Sequence, residues 1–589
     1  MKRCKKWLAL ISAFTFIATS SLIPGTYEVQ AATGLTPAAG KTIGNSNPLI
    51  THKYGADPFA MVYNGRVYIY LTDDQAQWEL TPDTNNSYSN CRSISIISSA
   101  DMVNWTDHGK VPIGKQLSNG LTTWASNAWA PAAAWKKING KDKFFLYFAD
   151  SANGIGVLTG DSPIGPFHDP LGHALINRQN TPNVESSKVP WLFDPAVLVD
   201  DDGKAYLYFG GGIDGLNANN PKSSRVVQLG DDMISIVGTP QEIDAPRIFE
   251  DSGIHKFNGK YYYSYCSNFS GTNGEGYPPT GTIAYMVSDN PLGPFTYIGP
   301  ILPGPGVFGN GDGGNNHHAI FEFEGKWYIT YHTRQVNIAK RLLEGKSGHR
   351  DYRSPSITEL SIDNATGLIT PLQMENKGVS RLKTMNPYTR VEAETIAWNG
   401  GISTEVSTQP GSMVDSINLQ VNDINNGDWI AVSGLDFGDT GAGTFTANVA
   451  SGSSGGEIEL RLDSPEGQVI GTLPVSSTGG WDNWEMMTTA VSVATGVHDL
   501  YMIFKGQAEG DLFKVDYWKF NQKSDNHELV SINATIDKQK IDITSGNNTA
   551  NITVTAVYAD GTSEDVTDKA IATPSQSGIV EINKGLVTG

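Results

Sequence analysis

Cysteine is nearly missing from this chain, three in 589 residues. Cys4 lies in a basic leading stretch, and Cys91 and Cys266 fall in different repeats of a pattern set out below. A disulfide framework is therefore excluded, and two free, buried thiols are expected. Positive charge is also scarce: 42 Lys and Arg against 61 Asp and Glu give a formal net charge of −19. Nucleic acid is a poor partner for such a surface, whereas a neutral polymer is not. Long apolar runs are limited to Trp7–Ile23, which follows Lys2, Arg3, Lys5 and Lys6 and precedes the small-residue site Val29-Gln30-Ala31. That is the pattern of a secretory signal peptide over residues 1–31, and no later segment is apolar enough for long enough to span a bilayer. A secreted, extracellular, monomeric protein with no membrane or nucleic-acid partner is the expectation.

What the chain has in quantity is glycine, 64 residues, and aromatic side chains, 10%. The two combine in one unit, plainest in Trp191 to Gly212 (WLFDPAVLVDDDGKAYLYFGGG). Asp194 sits where an apolar strand begins, Ala196 to Val199 run into an Asp202-Gly203 turn, and Tyr206, Tyr208 and Phe209 mark the return strand, a strong hairpin signal. The hairpin recurs at turn glycines Gly65, Gly140, Gly203, Gly259 and Gly325. A second series, around Asp101, Asp161, Asp231, Asp289 and Asp363, alternates strictly with the first. Two hairpins per unit make four strands, and five units describe a five-bladed β-propeller. Strand spacing alone also allows a large sandwich; the double series decides between them.

The propeller is expected over residues 32–385. Around Asn386-Pro387-Tyr388 the texture shifts to Gly, Ser and Thr, and short alternating runs such as EIELRLDS and HDLYMIF predict a β-sandwich of jelly-roll type over 386–522. A polar linker, Lys523 to Glu528, opens a last piece, 523–589, that reads as a partial Ig-like β-sandwich lacking its last strands. The fold class is all-β throughout.

In a propeller the first strands of all blades converge on one axial depression, so the residues at their mouths meet. Here these are Asp57 (GADPFA), Trp129-Ala130-Pro131, Asp194 (FDPAVL), Glu250 (FEDSGI) and His317-His318 (NNHHAI). Taken singly, each acid has a plain explanation, satisfying backbone N–H groups at a strand start. Together, three acids and two histidines at one end of the axis favour a site, because crowding like charges costs energy unless the shifted pKa values are used. Two carboxyl groups, one protonated and one ionised, are what glycosidic hydrolysis needs.

At these motifs the chain resembles glycoside hydrolase family 43, whose Asp, Asp, Glu triad comes from the first, third and fourth blades. The texture is similar to that of the arabinoxylan arabinofuranohydrolases, in which the propeller is followed by a family 6 carbohydrate-binding module. The resemblance implies Asp57 as the general base, Glu250 as the general acid and Asp194 as its modulator, with inversion at the sugar. It implies removal of α-L-arabinofuranosyl side chains from arabinoxylan, the xylan polysaccharide being the partner. β-Xylosidase, endo-xylanase and arabinanase activities share the triad and stay open, as does a non-catalytic sugar-binding propeller, against which the intact triad argues. Asn315 or Asn316 is expected to contact sugar. His318 is expected either to hold an axial metal or water, or to be structural, and Arg353 either to clamp sugar or to form a surface ion pair. Trp124, Trp129, Trp191 and Phe269 lie at or beside blade mouths, where rings offer stacking platforms for sugar; Phe269 and Trp191 are the favoured pair.

RVEAETIAW and LFKVDYWKF resemble the two ends of a family 6 module. Glu392, Glu394 and Asp516 correspond to the acids that hold structural calcium there, and hard oxygen ligands suit Ca²⁺. Trp481 matches the family's stacking Trp. Lys514 and Asn422-Asp423 depart from the pattern where an Asn and a Tyr often meet the ligand, which leaves xylan binding by the module open. The last piece resembles a bacterial Ig-like domain in YADGTSEDVT and GLVTG.

Overall fold

The computed structural model describes residues 34–589 apart from 213–217, 272–273, 305, 307–313, 413–416, 493, 525, 539, 543–547 and 576–577. The expected signal peptide, with Cys4, lies outside the described residues. No helix among them is long and apolar enough to cross a membrane. Cys91 and Cys266 are both free and buried.

The propeller's blades begin with Ala56–Tyr63, Trp129–Ile138, Ala196–Val199, Ile248–Phe257 and His318–Phe323. Each of these first strands packs on its neighbour, and the fifth packs on the first, so the ring is closed. All five turn glycines have φ between 70° and 81°, and a Cβ there would meet nothing within 4 Å. Backbone conformation rather than crowding therefore selects glycine.

The alternation of the two series has a packing cause. Tyrosines on the second strands reach across to the Asp-series turn of the next blade: Tyr70 Oη donates to Pro163 O at 2.6 Å, Tyr147 to Met233 O at 2.7 Å, Tyr208 to Pro291 O at 2.7 Å and Tyr262 to Gly367 O at 2.9 Å. The ring carbons fill the gap between blades and the hydroxyl satisfies a turn carbonyl, so each blade is tied to the next.

Blade 5 departs from the expected four strands. It has three, His318–Phe323, Lys326–Thr333 and Ser354–Leu360. The segment around Asp363 forms a tight turn instead, its carboxylate accepting from the N–H groups of Ala365 and Thr366, with a single bridge between Ile362 and Ile369. The free edge of Ser354–Leu360 is taken from the other end of the domain. Asn47 exchanges two 2.8 Å hydrogen bonds with the backbone of Ile357, and Leu49 N–H donates to Pro355 O at 2.8 Å. Residues 46–49 thus complete the ring.

The sandwich has one sheet in the order Ser403–Val406, Leu419–Asn422, Lys514–Gln522, Ala442–Ala450, Trp484–Ala490, and a second in the order Trp398–Gly400, Trp429–Asp436, Val497–Lys505, Gly455–Leu462, Val469–Ser476. Between them lies a core that includes Phe445, Leu460, Phe504, Trp518 and Phe520. This module is grown onto blade 1: Thr395–Ile396 pairs with the blade's outer strand, Trp105–Pro112, and Asn104 and Ser433 exchange hydrogen bonds of 2.8 and 2.7 Å. Residues 34–45, placed with the propeller by sequence, lie on the sandwich. Thr36 N–H donates to Gly427 O (2.9 Å), Trp429 Nε1 to Thr36 O (2.8 Å) and Trp398 Nε1 to Asn45 O (2.8 Å). Leu35, Ala38 and Ile43 pack with Trp398, Trp429 and Tyr501. The apolar side chains of this strap explain its place: they cover an aromatic face that would otherwise be wet. Residues 529–588 add a separate sheet built on Leu529–Ile536 and Thr549–Tyr558, joined to the sandwich through Asn533 and Ser531, which both donate to Thr488 O.

Candidate active site

The mouth acids converge because each begins, or nearly begins, the strand nearest the axis. Asp57, Asp194 and Asp251 take left-handed backbone conformations, φ 51°, 50° and 68°, and the inner strands of blades 1 and 4 shift register at these mouths. Non-glycine residues persist in such strained states only where their surroundings hold them, often at working sites. The triad residues Asp57, Asp194 and Glu250 are each buried.

Asp57 is held as an anion. Arg353 Nη1 donates to its Oδ1 and Thr72 Oγ1 to its Oδ2, both at 2.7 Å, while His332 Nδ1 and His317 Nδ1 stand 3.4 and 3.5 Å from Oδ1. Burial pushes its pKa up, but the guanidinium and the two imidazoles outweigh burial and hold it well below the usual carboxylate range. Glu250 is the opposite case. Burial, with the charges of Asp251 and Asp57, raises it to about 8 against the opposing hydrogen bonds from Asn316 N–H (2.9 Å) and Asn315 Nδ2 (3.2 and 3.1 Å). Asp194 is also raised well above the ordinary range, by burial and then by Glu250 and Asp57. Its Oδ2 accepts from the backbone N–H of Asp251 at 2.9 Å, so it fixes the peptide that follows Glu250. The site therefore sets Asp57, held toward its ionised form, against Glu250 and Asp194, both pushed toward their protonated forms.

Arg353 is neither a sugar clamp nor a surface ion pair. It is buried, and Asp74, at the start of helix α1 (Asp74–Leu80), grips its Nε and Nη2 at 2.9 and 2.8 Å; Nη1 then reaches Asp57 and Asn315 Oδ1, both at 2.7 Å. The guanidinium lies over the Tyr88 ring, 4.9 Å from its centroid. Its polar edges face protein rather than substrate. Asn315, half-buried, joins Arg353 to Glu250, and Asn316 is fully buried, its Nδ2 donating to Gly281 O at 3.0 Å. His318 is also corrected as an axial metal ligand: Nδ1 is taken by Asp251 and Nε2 by Ser264 Oγ at 2.7 Å. His317 Nε2 lies 3.1 Å from the same Asp251, which makes that carboxylate the hub of a buried chain under Asp57. Among the described residues no group of three or more His, Cys, Asp and Glu could hold a metal ion.

Of the expected platforms, Trp191 is 41% exposed and packs on Phe249 (5.1 Å between centroids), which packs edge-on against Phe269 (5.5 Å). The middle ring of this row, Phe249, precedes Glu250 in the chain. Trp124 stacks on Phe148 and donates to Asp169, and Trp129 donates to Tyr88 O, so both serve the rim. Sequence reasoning missed Asp74, Asp251, Thr72, Tyr88, Phe249 and His332. Asp251 lies in the FEDSGI motif and Asp74 follows the first blade's return strand, but nothing local distinguishes either from a solvated acid.

Glu392 and Glu394 line one cavity of about 350 Å³ beside the sandwich. Glu394 is buried with Oε2 unpartnered, a donor set that suits a hard cation; Glu392 is held by Arg390 at 2.8–3.0 Å. Asp516 is buried, accepts from Asn418 and Asn448, and has the Arg390 guanidinium that holds Glu392 3.5 Å from its Oδ2. Trp481 has the Lys514 ammonium over its ring, 6.0 Å from the centroid, and that ammonium is paired with Glu405 at 2.7 Å.

The profile of Glycosyl hydrolases family 43 matches residues 45–365, the whole span that carries these mouths, and that of Carbohydrate binding module (family 6) matches residues 392–522. The chain belongs to glycosyl hydrolase family 43. Two relatives named arabinoxylan arabinofuranohydrolase, from Bacillus subtilis (strain 168) and Paenibacillus polymyxa, are 54% and 52% identical to it; each alignment covers 84% of this chain, with 96% and 77% of the respective relative. A crystal structure of the arabinoxylan arabinofuranohydrolase from Bacillus subtilis, in complex with cellotetraose, superposes with a TM-score of 0.78 at 53% identity, over 84% of this chain and 100% of that one. The protein is a glycosidase.

Proposed function

We propose that the chain removes α-L-arabinofuranosyl side chains from arabinoxylan by single-step displacement, with Asp57 activating water and Glu250 protonating the departing xylose oxygen. The observation that carries this is the opposed charge state of two buried carboxyl groups in one depression, Asp57 held ionised by Arg353 and Glu250 kept protonated by burial. Asp194 holds the peptide after Glu250 and so aims the acid, and Asn315 orients the acid's carboxyl group. The row Trp191, Phe249, Phe269, whose middle ring precedes Glu250 in the chain, offers the leaving xylan backbone its stacking surface. The names of the relatives support the substrate. Export of the protein is proposed from the leading residues, and a monomeric state is proposed with it. A structural calcium ion is proposed at the module on Glu392, Glu394 and Asp516; it would neutralise crowded acids and take no part in the reaction.

The test compares two substrates. Proton transfer to a sugar alkoxide is needed far more than to nitrophenolate. Glu250→Ala should lose several orders of magnitude on arabinoxylan but far less on nitrophenyl arabinofuranoside, while Asp57→Ala should fail on both. Early proton NMR of a fresh arabinoxylan digest should show β-arabinose first. Equal losses for Glu250→Ala on both substrates, or α-arabinose appearing first, would remove these roles; xylose or xylo-oligosaccharides as the products would remove the substrate.

A further inference from the structure

Beside blade 1 runs a cavity of about 590 Å³, larger than the one at Glu392 and Glu394, with one wall from the propeller and the other from the sandwich. It is preformed, because its two walls are bolted together. Asp107, fully buried on blade 1, takes hydrogen bonds from His52 on its own domain (3.0 Å) and from Thr404 on the module (2.9 Å). Three of the residues that line it carry a buried polar atom with no hydrogen-bond partner: Asp73 Oδ2, Arg92 Nε and Asn422 Oδ1. Asp73 is 1% exposed, with the Lys110 ammonium at 3.7 Å as its nearest cation. Unpartnered groups of this kind cost free energy in the empty groove and repay a ligand that completes them.

We propose that this groove is a second saccharide-binding site, taking the neutral xylan backbone outside the catalytic depression. Two acceptors and a donor set apart along one groove are satisfied together by hydroxyl groups, which donate and accept. Leu80 and Val406, 63% and 67% exposed, line the same groove and offer apolar contact to the sugar's C–H faces. Carboxylates outnumber cations in the lining, which disfavours a polyanion or a uronate. In the chain, the groove residue Asp73 stands between Thr72, which bonds Asp57, and Asp74, which grips Arg353. A polymer held there adds affinity by keeping its arabinosylated neighbours near the depression.

This proposal rests on the xylan-directed reading above, and the test separates the two. Retardation of the full-length Glu250→Gln protein in gels containing linear xylan is compared with Arg92→Ala, Asn422→Ala and Val406→Asp added singly. Each should weaken retardation severalfold with an unchanged melting temperature. In the active chain, the same three changes should raise KM on arabinoxylan relative to each variant's own rate on nitrophenyl arabinofuranoside, which corrects for any misfolded fraction. Equal retardation and an unchanged KM ratio in all three would overturn the site, as would retardation by glucuronoxylan alone. Failure of the parent chain to cleave the nitrophenyl substrate would instead strike the catalytic reading.

Discussion

At the scale of single residues, the site works through charges fixed at a distance from the sugar. Glu250 carries a pKa raised to about 8, chiefly by burial. An acid catalyst is active while protonated, so activity should persist through neutral pH and fall as pH rises through about 8; a kcat/KM profile that falls near pH 5 would contradict it. Because burial leads, Asp194→Asn should leave that alkaline limb near its place while lowering kcat. Asp57 is the mirror case: its pKa is depressed, so its activity is lost only on the acid side. Asp74→Asn loosens the grip on Arg353 and lets the Asp57 pKa climb. The acid limb should then move to higher pH, and kcat should fall about 10–100-fold on large and small substrates alike, the worth of a charge-assisted hydrogen bond. An unmoved acid limb would make Asp74 merely structural. This pair shows where sequence reading stops. Asp57 and Glu250 are legible because each opens a strand in a repeated motif. Asp74 and Arg353 are separated by 279 positions, and only the closed ring brings them together.

Among the elements, the blade-to-blade tyrosines carry the largest repeated load. Tyr147→Phe keeps the ring in the gap but strips Met233 O of its buried partner, and should cost about 1–3 kcal/mol. Urea unfolding should show a lower midpoint with an unchanged m-value, since the exposed surface stays the same. Tyr147→Phe with no change in midpoint would mean that water or a shifted turn replaces the bond. The two series of turn markers were readable from their residue types: glycine for its left-handed backbone, and Asp either for short-range side-chain bonds, as at Asp101 and Asp363, or for an ion pair with a hairpin lysine, as at Asp161, Asp231 and Asp289. The three-stranded fifth blade was not readable. Asp363 caps a local turn as Asp101 does, and what differs is the edge beside it, already taken by Asn47.

Over the whole molecule, the two large domains are one mechanical body, joined by the pairing of Thr395–Ile396 with blade 1, by Asn104 and Ser433, and by the strap. Changing Leu35 and Ile43 to Ser should uncover Trp398 and Trp429 and lower the melting temperature of the sandwich by several degrees; calorimetry of the full chain reads it, and an unchanged trace would show the strap to be dispensable. The domain order was legible from the shift in composition near Asn386, but the strap was not, because its few apolar residues carry no period. Its position sets an order of events during synthesis. Residues 35–43 leave the ribosome hundreds of residues before Trp429 and Tyr501, the surface they cover. The propeller can close once Ile357 has been made, yet these early residues must wait, uncovered, until the second domain exists. A gene fusion that exchanges the module for another would therefore have to exchange the head of the chain as well.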